Sequence, residues 1–154
     1  MLAQYDSPLG PITLAFDGEA LTGLRLDAAA DRVGPLTTDL RPLTTKVLRW
    51  LDIYFSGRQP DFIPPLALRG TDFQRRVWQA LLEIPYGETF SYGELARRVG
   101  CRSAQAVGQA VGRNPIAIIV PCHRVVGSDG SLTGYAYGTE KKQYLLDLEK
   151  HILK

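Results

Sequence analysis

The residues of this chain best suited to covalent chemistry are Cys122 and the histidine beside it, in the run Pro121-Cys122-His123-Arg124. A cysteine is a nucleophile only as thiolate, and a nearby imidazole or arginine is the usual means of lowering its pKa. Adjacency in sequence is not contact, because consecutive side chains diverge around a helix and point to opposite faces of a strand. A bridging water or an unusual backbone turn would have to link the two, and for the dipeptide alone an inert buried cysteine is the commoner meaning. Cys101 is the only other cysteine, so a disulfide scaffold is not expected. With His123 and His151 the only histidines, and no Cys-x-x-Cys pair, no metal site is expected either.

The formal net charge of +2 hides an asymmetry. Residues 1–68 carry six basic and eight acidic side chains, residues 69–154 twelve and eight. Between Ser91 and Arg124 the basic side chains Arg97, Arg98, Arg102, Arg113 and Arg124 face Glu94 alone. Such a surplus suits a surface that meets phosphates, although charge alone fits a solvated face as well.

These residues must be carried by a scaffold, and the patterning predicts one in two parts. Leu2 to Phe16 and Leu21 to Leu26 have the composition of short strands, broken by turn signals at Ser7-Pro8-Leu9-Gly10 and Asp17-Gly18. Residues 27–42 lack periodicity. Thr44 to Phe55 places Val47, Leu48, Leu51 and Phe55 at helical spacing. Gln59 to Arg69, with Pro60, Pro64 and Pro65, marks a joint. The expected organisation is an α/β subdomain of short antiparallel strands plus a helix (1–62), a Pro-rich connector (63–69) and a mainly α domain (70–154).

In the second part Thr71-Asp72 can cap a helix bearing Phe73, Val77, Trp78, Leu81 and Leu82, which stops near Ile84-Pro85-Tyr86-Gly87. Ser91 with Glu94 three residues on matches a capping box for a short helix ending at Gly100. A second helix from Ser103 to Arg113 must stop before Pro115, so the pair predicts a helix-turn-helix. Its Ala104, Ala106, Gly108, Ala110 and Gly112 are all small, which fits close helix packing or approach to nucleic acid. Ile116 to Val120, five consecutive apolar residues, is expected to be a buried strand delivering Cys122 to its end. A last helix is predicted from about Glu140 to Ile152.

The string Asn114-Pro115-Ile116-Ala117-Ile118-Ile119-Val120-Pro121-Cys122-His123-Arg124-Val125-Val126-Gly127 closely resembles the active-site signature of the O6-alkylguanine-DNA alkyltransferases. The resemblance extends over about Gly70 to Lys150, and includes Phe73-Gln74-Arg75-Arg76-Val77-Trp78, Ile84-Pro85-Tyr86-Gly87 and Ala106-Val107-Gly108. The N-terminal part is similar in layout only, through Ser7-Pro8-Leu9-Gly10 and Tyr54-Phe55-Ser56-Gly57.

That resemblance implies direct reversal of DNA damage: an alkyl group passes irreversibly from O6-alkylguanine, or O4-alkylthymine, in duplex DNA to Cys122, once per molecule and without a cofactor. It implies that His123 activates the thiol through a water, that Glu149 orients the imidazole, and that Asn114 braces the helix-turn-helix against the cysteine segment. Tyr92 would offer its hydroxyl to the flipped base and the phosphate turn. Gln105, Ala106, Gly108, Arg113 and Arg124 would meet DNA, while Tyr135, Ala136 and Tyr137 would line the alkyl pocket. The small-faced helix would enter the minor groove, and the base would be extruded before the sulfur could reach it.

Three positions depart from the pattern. Ala136 stands where some relatives have a serine, and offers only its backbone N–H to the guanine oxygen. Gln105 stands where many relatives have an arginine that fills the space left by the base, which predicts weakened flipping. Tyr137 stands where some have glycine, which predicts that small alkyl groups are accepted more readily than benzyl. A lesion-recognition protein without transfer activity would lack the cysteine, and nothing in the chain resembles a cysteine hydrolase signature. A monomer in the cytoplasm is expected, since no apolar run could span a membrane and Met1 to Gly10 has no signal-peptide pattern.

Overall fold

The computed structural model describes residues 2–26, 41–132 and 134–151. The non-periodic stretch 27–40 and the end of the last predicted helix at Ile152 fall outside them. The chain divides into two compact units, Met1–Leu68 and Arg69–Lys154.

In the first unit β1 (Leu2–Ser7), β2 (Gly10–Asp17) and β3 (Ala20–Arg25) form an antiparallel meander in the order β1-β2-β3. The register runs from Leu2 opposite Ala15 to Ser7 opposite Gly10, the latter held by a turn in which Gly10 adopts φ +100°. Alternation places Ile12, Leu14 and Phe16 in the core. Helix α1 (Pro42–Phe55) starts with proline, whose fixed φ suits a first helical position. Its buried face is Thr44, Val47, Trp50, Leu51 and Tyr54. The stripe expected from Leu48 and Phe55 is therefore rotated, because Trp50 and Tyr54 stack at 5.3 Å and bring more apolar surface to the core. The Pro-rich segment is also not a free connector. Leu21 donates to the Pro65 carbonyl and accepts from Ala67 N–H, each at 2.9 Å, so the segment is tied to β3 by a single parallel bridge at Leu66.

In the second unit α2 (Asp72–Leu81) opens with a full capping box: Thr71 Oγ1 accepts from Gln74 N–H, and Gln74 Oε1 accepts from Thr71 N–H. Val77, Trp78, Ala80 and Leu81 are buried, and Trp78 Nε1 donates to the Ala110 carbonyl at 2.8 Å, locking α2 to the helix carrying Ala110. Ser91 caps α3 (Tyr92–Arg98) by accepting from Glu94 N–H, while the Glu94 carboxylate pairs with Arg98. After a turn through Gly100 at φ +71°, Ser103 caps α4 (Ala104–Gly112) by accepting from Ala106 N–H. The two short helices pack together as the expected helix-turn-helix.

Ile116 to Val120 is buried, but it is not a strand. It is a closed loop: Asn114 Oδ1 accepts from Ile116 N–H at 3.0 Å, Asn114 Nδ2 donates to the Val120 carbonyl at 2.8 Å, and Val120 N–H returns to the Ile116 carbonyl at 3.1 Å. Buried backbone groups must be paired, and here an asparagine side chain does what a neighbouring strand would have done. Within the loop Ile118 takes φ +70°, a left-handed conformation uncommon for a β-branched residue and held by these bonds. The loop passes Cys122 into a 3-10 turn, Cys122–Arg124. Next comes β5 (Val125–Val126), which pairs in parallel with β4 (Phe90–Ser91), Phe90 opposite Val125 and Ser91 opposite Val126. Helix α5 (Thr139–Glu149) completes the unit.

Candidate active site

The two-residue ladder of β4 and β5 fixes the site. β4 leads directly into Tyr92 at the start of α3, and β5 follows directly on Arg124, so pairing them sets Tyr92 beside the Cys122 turn. The Tyr92 ring also fills the space over Gly108 of α4, where a Cβ would lie 3.6 Å from it. The segment after residue 133 crosses the phenol so closely that a Cβ on Gly134 would stand 2.9 Å from the hydroxyl. Gly134, at φ +80°, is thus required both by its backbone and by this approach.

Cys122 is buried, and burial pushes its thiol pKa up; the Asn114 side chain, foremost, and the Lys142 ammonium pull it back down. Its N–H donates to the Val120 carbonyl at 2.8 Å, the same oxygen that Asn114 holds. Asn114 therefore couples the end of α4 to the backbone of the cysteine.

His123 is fully buried, and its Nε2 lies 2.5 Å from Glu149 Oε2 of α5. Burial lowers the imidazole pKa despite the carboxylate, which places a neutral ring in the resting site. A neutral ring whose Nε2–H donates to Glu149 carries its lone pair on Nδ1. Glu149 stays ionised, its pKa held at about 2 against the desolvation of burial by its bonds to His123 and Arg124.

Arg124 does not turn outward to phosphate as expected. It is 9 % exposed, and its guanidinium grips Glu149 with Nε to Oε1 at 2.7 Å and Nη2 to Oε2 at 3.2 Å, while Nη1 donates to the Ile84 carbonyl at 2.7 Å. A buried carboxylate needs a charge partner, and that demand takes precedence over solvent.

The sequence reading did not single out Lys142. It lies fully buried on α5, its Nζ 6.0 Å from the ring centres of both Tyr92 and Tyr135, an aromatic cradle for a cation facing the thiol. Burial lowers its pKa and the charge of Cys122 raises it. Burial and the nearby sulfur raise the pKa of Tyr92 and Tyr135, so both phenols remain proton donors at neutral pH. A sequence signal existed, since Lys142 sits three residues before Leu145 on the apolar face of α5. A lysine within such a stripe, however, ordinarily lies at its solvated edge.

On α4 the exposed side chains are Ala104, Gln105 and Gln109, with Arg102 before and Arg113 after; Ala106 and Gly108 are half-buried. Ala110 faces the core instead, against α2. Ala136 is exposed, and Tyr137 meets Tyr135 edge to face at 5.7 Å. Among the described residues no cluster of His, Cys, Asp or Glu could hold a metal, and no helix is long and apolar enough to cross a membrane.

A buried cysteine followed in the chain by an imidazole–carboxylate pair, in one unit with a helix-turn-helix, fits the class of proteins that bring thiol chemistry to nucleic acid. Residues 72–151 match the family described as 6-O-methylguanine DNA methyltransferase, DNA binding domain, and residues 2–68 its ribonuclease-like domain. The chain is similar to the methylated-DNA–protein-cysteine methyltransferase of Mycobacterium tuberculosis, 52 % identical over 149 residues, covering 94 % of this chain and 89 % of the relative. It is similar also to that of Methanosarcina barkeri, 47 % identical over 157 residues and covering 97 % and 96 %. The solved structure of Mycobacterium tuberculosis OGT in complex with DNA superposes with a TM-score of 0.88 at 51 % identity, over 98 % of this chain and 93 % of that one. The chain belongs to the methylated-DNA–protein-cysteine methyltransferase family of DNA-repair proteins.

Proposed function

We propose that the chain repairs O6-alkylguanine in duplex DNA by transferring the alkyl group to Cys122, once per molecule. The observation that carries this reading is the buried His123–Glu149 pair, with Nε2 of the imidazole 2.5 Å from the carboxylate, directly after a buried thiol that lies near Tyr92. Neutral His123 accepts the thiol proton through a water at Nδ1, and Glu149 stabilises the imidazolium that forms. The thiolate attacks the alkyl carbon; the C–S bond forms as the O6–C bond breaks, and the electron pair leaves on guanine. Tyr92, kept protonated, donates to the base as that charge develops, and Lys142 stabilises the thiolate before it is consumed. The product thioether has no leaving-group chemistry to restore the thiol, so the protein is spent.

The target oxygen lies within the base stack, so the nucleotide is flipped out first. Helix α4 enters the minor groove with Ala104, Ala106 and Gly108 facing it, Gln105 occupies the space of the extruded base, and Arg113 with Arg102 holds phosphates. Tyr135, Ala136 and Tyr137 line the alkyl pocket, where the bulk of Tyr137 favours methyl over benzyl; O4-alkylthymine is a further candidate substrate. The working unit is a monomer in the cytoplasm.

Titrating the protein with oligonucleotide carrying a radiolabelled O6-methyl group tests the reading. Transfer is expected to plateau at one methyl per protein, whereas continued turnover would exclude a consumed acceptor.

A further inference from the structure

We propose that Arg124 is a positioning residue of the transfer reaction: its guanidinium fixes both oxygens of Glu149 and balances that carboxylate's charge, so that His123 meets Cys122 as a neutral base and not as an imidazolium. The inference rests on the reading of His123 as the base.

The geometry uses every strong contact the carboxylate can make. Oε1 accepts from Arg124 Nε at 2.7 Å and from Gly87 N–H at 3.1 Å; Oε2 accepts from Arg124 Nη2 at 3.2 Å and faces His123 Nε2 at 2.5 Å. The third guanidinium nitrogen is tied to Ile84, and the Tyr86 ring lies 5.6 Å beneath the guanidinium carbon. The carboxylate plane is therefore set by the turn at residues 84–87 through Arg124, and it sets the plane of the imidazole in turn.

The charge balance follows. With Arg124 present, neutral His123 and ionised Glu149 complete a buried group of zero net charge. Without it, the same protonation state would bury a net negative charge, and the pair would take up a proton. If His123 carries that proton, Nδ1 is no longer a base. If Glu149 carries it, the acid donates to Nε2 and the ring proton moves to Nδ1, with the same result. The other charged groups near the imidazole act in Arg124's direction or lie elsewhere. Lys142 of α5 also lowers the imidazole pKa, Tyr92 and Tyr135 face Cys122, and on α2 Arg75 pairs with Asp72 while Arg76 donates to the Val99 carbonyl.

The test is the pH dependence of single-turnover methyl transfer by the full chain, with the imidazole titration followed by NMR. The chain has two histidines, so a His151→Gln control assigns the signals. Arg124→Met is expected to move the acid limb of the rate, and the His123 titration with it, to higher pH by about one unit or more. Arg124→Lys, which keeps the charge and loses the fork, is expected to slow transfer with the limb in place. Arg124→Met combined with Glu149→Gln, which removes both charges, is expected to return the limb toward the parent position. A rate that falls equally at all pH values in Arg124→Met, with the His123 titration unmoved, would overturn the proposal. Should Arg124→Met not fold, a limb displaced in the Lys variant or in the double variant would overturn it as well. His123→Gln transferring at the parent rate and pH profile would overturn the base reading itself; slowed transfer there with an unmoved limb in Arg124→Met would overturn Arg124's role alone.

Discussion

Asn114→Ala separates the structural and chemical duties of one side chain. The substitution orphans the N–H of Ile116, a fully buried residue, and removes one of the two donors held by the Val120 carbonyl. An orphaned buried donor costs about 1–3 kcal/mol and a lost partner on a still-bonded carbonyl about 0.5–1.5, so the loss comes to roughly 2–4 kcal/mol. That is a large fraction of an ordinary domain's stability, and urea unfolding is expected to show a lower midpoint at unchanged slope. The rate falls for a second reason. The Val120 oxygen also holds Cys122 N–H, so the cysteine backbone loosens and the thiol pKa rises. Misplacing a nucleophile by a fraction of an ångström to an ångström costs on the order of a hundredfold in transfer rate. Asn114→Ser supplies the contrast: its shorter hydroxyl can still accept from Ile116 N–H but cannot reach Val120. The Ser variant is expected to regain part of the stability and little of the rate, both measured on refolded protein. An Ala variant with parent rate and parent unfolding midpoint would refute the reasoning.

Other expectations follow from the same geometry. Stability is expected to fall as pH drops below 6.5, where unfolded histidine takes up a proton that buried His123 resists, and again from about 4.5 toward 2, where the depressed Glu149 pKa is overtaken. Glu149→Gln is expected to flatten the lower step in pH-dependent urea unfolding. Lys142→Met exchanges a buried cation for an apolar side chain of similar length, so stability is expected to hold; transfer at neutral pH falls about tenfold for each unit the thiol pKa rises and recovers at higher pH. A Lys142→Met protein that transfers at the parent rate would remove the ammonium from the mechanism. Gln105→Arg is expected to speed repair of methylated duplex at low salt, and an unchanged rate would contradict the weakened-flipping reading.

The parts of the molecule legible in the sequence are those governed by local rules. Thr71, Ser91 and Ser103 each cap the helix they precede, and Ser7 to Gly10 turns the first hairpin, because capping and turn geometry depend on a few neighbouring residues. The apolar run 116–120 has the composition of a strand, yet its partner proved to be the Asn114 side chain, which periodicity does not weigh. The inward turn of Arg124 and the burial of Lys142 were illegible for a related reason. Arg124 depends on Glu149, 25 residues further along the chain, and Lys142 on the distant Tyr92 as well as on nearby Tyr135, and a basic residue alone gives no sign of such partners. The pairing of β4 with β5 is two residues long, too short for any pattern, although it positions Tyr92 beside the thiol.

The central claim is that Cys122 is the acceptor. Incubation with duplex oligonucleotide containing O6-methylguanine, followed by intact mass and peptide mapping, is predicted to show one added methyl group on the Cys122 peptide and none in Cys122→Ser. A methyl group mapped to Cys101 or elsewhere, or one that persists in Cys122→Ser, would contradict it.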